Sequence, residues 1–193
     1  MEFKEAIEWG EKGKDLKDRT DVDTRWSTEH NLALARRDFG QPDTAMIYFL
    51  GGVPIEKVVD PEEFDDKRDP SFYGNIGRCL HLMGQIDPAL ICYRKSALLL
   101  QRERNPHVEN RGFIRSWMGE LIIAKSDFCS AKAFLQAAKS KWRMVAPQRV
   151  IRLDEKLKEI EDQTHDCQPL SNSNSERYAL AWINEREQYF VGL

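Results

Sequence analysis

The sequence lacks the features that would place it in a membrane or outside the cell. Its 193 residues contain no apolar run approaching the roughly 20 residues that a membrane-spanning helix needs, which excludes an integral membrane protein. The first six residues carry acids and no apolar stretch of the kind found in secretory signals. With 41% hydrophobic and 32% charged residues, the composition is that of a soluble globular chain. These observations predict a cytoplasmic protein.

Motifs for metal binding are also missing. The four cysteines, Cys79, Cys92, Cys129 and Cys167, form no CxxC pair, and the four histidines form no HExxH or paired-histidine motif. We therefore predict no metal site and interpret all four cysteines as buried, reduced thiols. The acidic segment 60–69 lacks the residue spacing of a calcium-binding loop, and we interpret it as a solvated loop.

Catalytic and nucleotide-binding motifs are absent as well. The sequence has no GxGxxG or GxxxxGK[ST] phosphate-binding loop and no GxSxG nucleophile elbow. No set of acid, base and nucleophile can be assembled from its residues. We therefore predict that the protein is not an enzyme and needs no cofactor.

The charge balance does not favour nucleic acid as a partner. Twenty-nine basic and 32 acidic residues give a formal net charge of −3. A basic stretch surrounds Trp142, but in an acidic chain we interpret it as a solvated helix face rather than an RNA-binding surface. That stretch consists of Lys139, Lys141, Arg143, Arg149 and Arg152.

The sequence does contain an internal repeat. Residues 33–45 align without gaps on residues 77–89, and Gly-Gln-x-Asp recurs in both; a third copy spans residues 119–131. Each copy has apolar residues at helical spacing, a Gly or Ser where a helix must stop, and a second helical stretch. The repeat therefore predicts three pairs of helices. Small residues on the two helices of each pair should let the backbones approach closely: Ala33 with Ala45, Gly77 with Ala89, and Gly119 with Ala131.

This pattern resembles the tetratricopeptide repeat, a 34-residue helix-turn-helix unit. The copy from Pro70 carries the resemblance best, with Tyr73, Ile76-Gly77, Leu80, Ala89 and Tyr93 at the positions where that family has large, Leu-Gly, aromatic, Ala and aromatic residues. The resemblance covers roughly residues 1–145. It implies an all-α fold, an α-α superhelix in which helix pairs stack because one pair cannot cover its own apolar face.

The implied organisation has a repeat domain and a C-terminal extension. The repeat domain spans 1–163 and comprises a half-repeat at 1–19, repeats at about 26–59, 70–103 and 112–145, and a capping helix at 147–163. The half-repeat looks like a second helix without its first, so we expect the chain to be a fragment of a longer protein or a truncated array. Two insertions interrupt the period: Gly51-Gly52 should end a helix and begin an irregular loop, and the residues around 101–106 should lengthen a helix.

The last 30 residues, 164–193, read as a Ser- and Asn-rich linker followed by an amphipathic helix. Ser175 can cap a helix over 176–190, with Tyr178, Ala181, Trp182 and Tyr189 on one side. One alternative is that this helix folds back on the repeat domain. The other is a tethered arm that occupies a groove of this molecule or of a second copy, which would lead to self-association.

The resemblance also implies a binding surface. In tetratricopeptide repeats the first helices of successive pairs line a concave groove, and alignment carries its lining over to this sequence. The candidate groove residues are His30, Leu34, Arg37, Asn75, Arg78, His81, Phe113 and Glu120. Their cationic and partly apolar character suits an acidic or phosphorylated peptide. The alternative is that they are ordinary solvated residues on helix faces.

Two functions follow as hypotheses. The first is a non-enzymatic interaction module or scaffold that binds a peptide or a partner domain in the groove. The second is a regulatory or sensor domain of a larger signalling or defence protein, which binds a small ligand and controls a linked effector; this hypothesis rests on analogy with other repeat arrays.

Overall fold

The computed structural model of the chain describes residues 3–15, 22–103, 108–167 and 171–185. Within these ranges the regular secondary structure is helical and contains no strand, as the all-α prediction requires. The helices are α1 (Phe3–Asp15), α2 (Val22–Asp38), α3 (Pro42–Leu50), α4 (Ile55–Val59), α5 (Pro70–Leu82), α6 (Ile86–Arg102), α7 (Val108–Ala124), α8 (Phe128–Val145), α9 (Pro147–Glu159) and α10 (Asn172–Glu185). A 3-10 turn over Asp162–Thr164 follows α9.

The three aligned turns of the repeat share one backbone geometry. Gly40, Gly84 and Ser126 occupy equivalent positions and have φ values of 89°, 76° and 60°, in the left-handed region. In each turn the N–H of this residue donates to the carbonyl three residues earlier, and the next N–H donates to the carbonyl five residues earlier, at 2.8–3.3 Å. This pairing satisfies carbonyls at the end of the first helix, the usual role of a left-handed cap. The sequence repeat is therefore also a repeat of local structure.

The chain divides into two compact units. Unit 1 consists of Met1–Glu63 and Phe72–Cys92, and unit 2 consists of Phe64–Ser71 and Tyr93–Leu193.

Unit 1 contains α1 to α4 and α5 from Phe72 onward, with α2 packed against both α1 and α3. Leu32, Ala33, Ala45 and Phe49 are buried in its interior. Gly10 of α1 lies so close to Leu32 that an added Cβ would sit 2.9 Å from the Leu32 Cδ1 atom. The absence of a side chain at position 10 therefore permits the close contact between α1 and α2.

The first insertion differs in part from the prediction. Gly51 adopts a left-handed conformation, and its N–H donates to the carbonyl of Ile47, so α3 ends at Leu50 as the double glycine predicted. The following residues are not entirely irregular, because α4 forms over Ile55–Val59 and buries Val58. The second insertion lies partly outside the described residues, since 104–107 are not among them.

Unit 2 is built around the antiparallel neighbours α7 and α8. An added Cβ on Gly119 would lie 2.9 Å from Leu135 Cδ2 and 3.4 Å from the carbonyl oxygen of Ala131, so the two helices approach closely at these small residues. Gly112 allows an even tighter contact: its Cβ would lie 2.1 Å from Nε1 of Trp142. That Nε1 donates a 3.2 Å hydrogen bond to the carbonyl of Glu109.

The C-terminal helix packs on the rest of unit 2. α10 begins at Asn172, so Ser175 lies inside the helix, where it is buried and donates to Gln136 Oε1 at 2.9 Å. Trp182 packs edge-on against Phe134 with the ring centroids 5.2 Å apart. The expectation that Ser175 caps the helix was therefore wrong, and the helix folds back on α8.

The buried face of α10 also differs from the predicted one. It is formed by Ser175, Ala179, Trp182 and Ile183, whereas Tyr178 is 39% exposed. These four residues are separated by four, three and one positions and lie on the side of α10 that packs on α8. The positions of the aromatic residues alone do not show which side of the helix that is. Tyr189 lies outside the described residues.

The cysteine prediction was correct for two residues and wrong for the other two. Cys79 and Cys92 are buried and take part in no disulfide. Cys129 at the start of α8 and Cys167 after the 3-10 turn form a disulfide, with Cα atoms 5.5 Å apart. The two residues are 38 positions apart in the sequence. The spacing of cysteines along the chain does not show which of them the fold brings together, so the pairing was missed.

Candidate functional site

Two of the predicted groove residues of unit 1, Arg37 of α2 and Asn75 of α5, contact each other. Nη1 of Arg37 donates a 2.7 Å hydrogen bond to Oδ1 of Asn75, and both side chains are buried. Arg37 also contacts the carboxylate of Asp38 through Nε at 2.8 Å and Nη2 at 3.2 Å. Its positive charge is thus largely compensated within the protein, and its role is to join two helices.

Arg78 and His81 lie one helical turn apart on α5, after Asn75. Nη1 of Arg78 is 3.2 Å from Nδ1 of His81. Because an arginine side chain can only donate, Nδ1 is the acceptor, and the ring proton of neutral His81 is on Nε2. Both side chains are partly exposed. We call Arg37, Asn75, Arg78 and His81 the basic cluster.

The other two predicted residues of unit 1 lie on α2. His30 packs edge-on against Phe49 of α3 with ring centroids 5.7 Å apart, and Leu34 is partly buried. His30 thus contributes to the packing between α2 and α3.

The two predicted residues of unit 2 contact α9. The Arg149 guanidinium lies 4.3 Å from the ring centroid of Phe113, a cation–π contact, and Phe113 also packs on Trp142. Nζ of Lys156 is 3.7 Å from Oε1 of Glu120. Phe113 and Glu120 are therefore engaged by the helix that follows α8.

A buried thiol lies beside the basic cluster. Burial raises the pKa of Cys79 to about 12, although the nearby Arg37 and Arg78 act in the opposite direction. Because the thiolate is the nucleophilic form, Cys79 is an inert core residue at neutral pH rather than a catalytic group.

Unit 2 contains a cavity that the sequence did not predict. Its volume is about 280 Å³, close to the lower end of the roughly 300–1,000 Å³ typical of ligand pockets. Helices α6, α7 and α10 supply its lining. The lining residues are Ala97, Leu100, Gln101, Arg111, Arg115, Glu176 and Leu180.

The most buried charged group of this cavity is Arg115, which is 3% exposed. Its Nη2 lies 3.5 Å from Oε1 of Glu176, and the same oxygen lies 3.5 Å from Nζ of Lys141. Burial lowers the pKa of Arg115, while the Glu176 carboxylate partly opposes this effect. One signal in the sequence pointed here: Arg115 occupies a repeat position where a large apolar residue is expected. The contribution of α10 could not be found, because it depends on where that helix docks.

Neither region resembles a metal or membrane site. In the part of the chain that the structure describes, no group of three or more His, Cys, Asp or Glu side chains is placed to hold a metal ion. None of the described helices combines the length and apolarity needed to cross a bilayer.

Comparison with known proteins adds no identification. No protein-family model matches the sequence, and the searches found neither a similar curated protein nor a similar solved structure.

Proposed function

We propose that the protein is a non-enzymatic interaction module of the tetratricopeptide-like class, a helical-repeat scaffold that binds an acidic or phosphorylated peptide. The repeated turns at Gly40, Gly84 and Ser126 support the repeat architecture. The basic cluster of unit 1 supports the choice of ligand.

The observation that carries this proposal is the pair of bonds within the cluster. The hydrogen bond from Arg37 to Asn75 fixes α5 against α2, and the contact of Arg78 with His81 orients two basic side chains that remain partly exposed. Pre-oriented basic groups lose little conformational entropy when they bind a carboxylate or phosphate. Arg78 and His81 are therefore the residues that contact the peptide, and Arg37 and Asn75 position them.

A display library of random peptides tests this proposal. We expect the wild-type protein to enrich sequences rich in Asp and Glu, and the double variant Arg78→Glu with His81→Glu to lose that enrichment. The matched control is Arg152→Glu with Gln148→Glu, which makes the same change in net charge at two exposed positions of α9. Equal enrichment by wild type and the Arg78/His81 variant would remove the basic cluster as the binding surface.

A second candidate function is the regulatory or sensor domain that binds a small ligand. The cavity of unit 2 favours it, because its lining combines apolar side chains with a few charged ones, as small-molecule sites commonly do. In this hypothesis, ligand binding controls an effector domain of a larger protein. Its test is whether occupancy of the cavity changes the activity of a domain fused to the chain.

A further inference from the structure

The cavity of unit 2 combines apolar walls with an excess of positive charge. Ala97, Leu100 and Leu180 supply apolar surface, whereas Arg111 and Arg115 supply two positive charges against the single negative charge of Glu176. Glu176 compensates one of the two positive charges, and a wholly apolar ligand would leave the other without a counterion. The lining therefore favours a molecule with an anionic end and an aliphatic end.

Three of the lining residues also keep buried polar atoms unpaired. Nε2 of Gln101, Nε of Arg115 and Oε2 of Glu176 have no hydrogen-bond partner among the described residues. Buried polar atoms in folded proteins nearly always have one. Each belongs to a side chain that lines the cavity, so a rotation of that side chain presents the atom to a bound molecule.

The unpaired atoms define complementary chemistry. Gln101 and Arg115 offer N–H donors, which require an acceptor such as a carboxylate, while the Glu176 oxygen requires a donor. Arg111 is partly anchored already, because its Nη2 donates to the carbonyl of Leu100 at 2.7 Å. A small molecule with an acceptor and a donor on neighbouring atoms can bind the N–H groups of Gln101 and Arg115 and, at the same time, the Glu176 oxygen.

We propose that this cavity binds a small aliphatic organic acid that carries a hydrogen-bond donor beside its carboxylate, namely an α-amino or α-hydroxy acid. The carboxylate lies toward Arg115 and Arg111, the α-substituent donates to Glu176, and the aliphatic chain contacts the apolar wall. This inference deepens the second candidate function and rests on it for its biological role, but binding itself requires no effector.

Three compounds of one carbon skeleton test the ligand class on the complete 193-residue chain. Calorimetric titrations use leucine, 2-hydroxy-4-methylpentanoate and 4-methylpentanoate, which differ only in an ammonium, a hydroxyl or a hydrogen at the α-carbon. We expect saturable binding of leucine or of the hydroxy acid, and about tenfold weaker binding of 4-methylpentanoate, which leaves Oε2 of Glu176 without a donor. The tighter of the first two compounds identifies the α-substituent.

Two variants locate the binding in the cavity. Arg111→Gln should weaken binding about tenfold because it removes one charge-assisted contact. Arg102→Gln is the control: it removes the same charge from α6, at a residue that pairs with Asp66 outside the cavity, and should leave the affinity unchanged. Thermal denaturation of each variant verifies folding. Leu180→Trp, which places bulk at the cavity while keeping every charge, should abolish binding independently.

The outcomes separate the two hypotheses. Absence of binding by all three compounds at millimolar concentration would overturn the proposed ligand class, as would equal affinities for all three or an equal loss in the Arg111 and Arg102 variants. Binding that follows the expected order but never alters a fused domain would leave the site intact and contradict only the sensor function.

Discussion

Nη1 of Arg37 donates a 2.7 Å hydrogen bond to Oδ1 of Asn75, and this buried bond joins α2 to α5 within unit 1. Both residues were predicted to face a peptide, yet their side chains are directed at each other. The bond divides the predicted binding residues into two kinds: those that hold the helices together and those, such as Arg78, that remain partly exposed.

Replacing Arg37 with Met should destabilise the protein by about 1–3 kcal/mol, because it leaves the buried oxygen of Asn75 without this donor. Urea denaturation of Arg37→Met, Asn75→Ala and the double variant gives the coupling free energy, which we expect to be about 1–3 kcal/mol. The control is Arg78→Met, whose bond to His81 lies within a single helix; its effect should stay below about 0.5 kcal/mol. A coupling energy near zero would show that the bond contributes nothing to stability.

Ser126 adopts the left-handed conformation at the position where the other two repeats have glycine. A non-glycine residue pays roughly 1–2 kcal/mol there, and glycine loses about 0.5–1 kcal/mol more entropy on folding, so Ser126→Gly should stabilise the protein by up to about 1 kcal/mol. The reverse change at the equivalent turn, Gly84→Ser, should destabilise it. Thermal melts of the two variants that shift in the same direction would contradict this expectation.

Gly112 and Trp142 form a very close contact between α7 and α8, since a Cβ at position 112 would lie 2.1 Å from Nε1 of Trp142. A methyl group at position 112 would overlap a rigid indole, so Gly112→Ala should cost about 1–3 kcal/mol or more despite its gain in helix propensity. Gly119→Ala is the milder comparison, because it meets the flexible end of Leu135. Adding Trp142→Leu to Gly112→Ala should recover part of the lost stability. Urea denaturation of the wild type, Gly112→Ala, Gly119→Ala and the double variant tests this expectation.

Local features of the fold could be predicted from the sequence, whereas long-range ones could not. The helix ends at Gly40, Gly84 and Leu50 follow from glycine at positions that need positive φ or stop a helix. The disulfide, the buried face of α10 and the cavity all depend on how α10 and the segment before it dock on α8. Those contacts join residues that are far apart in the sequence, and the local patterns of a single sequence do not show which distant segments meet.

The residues of the basic cluster could be predicted from the sequence, whereas most of those that line the cavity could not. Arg37, Arg78 and His81 were predicted because the repeat alignment places them at groove-facing positions; Arg37 aligns with His81, and Arg78 aligns with Leu34. Arg115 was visible only as a departure from the repeat pattern, and its partner Glu176 lies 61 residues away in a helix outside the repeats.

The disulfide between Cys129 and Cys167 should contribute substantially to stability. It links residues 38 positions apart, and the chain-entropy account gives about 4 kcal/mol for a loop of this length. We expect Cys129→Ser to lose most of this amount under oxidising conditions. In the presence of a reductant, wild type and Cys129→Ser should unfold at nearly the same urea concentration, and a large remaining difference would mean that Cys129 acts through packing instead.

The docking of α10 gives the last prediction. Trp182 is buried against Phe134, and its replacement by Ala should cost about 3–5 kcal/mol, as for other large core residues. Tyr178→Ala, at a side chain of the same helix that is 39% exposed, loses its 2.8 Å hydrogen bond with Ser130 and part of its packing, and should cost less, about 1–2 kcal/mol. If α10 were instead an arm that exchanges between molecules, Trp182→Ala would change the mass in solution more than the stability. Sedimentation and urea denaturation of the two variants, measured together, distinguish a helix that completes its own core from one that serves a neighbour.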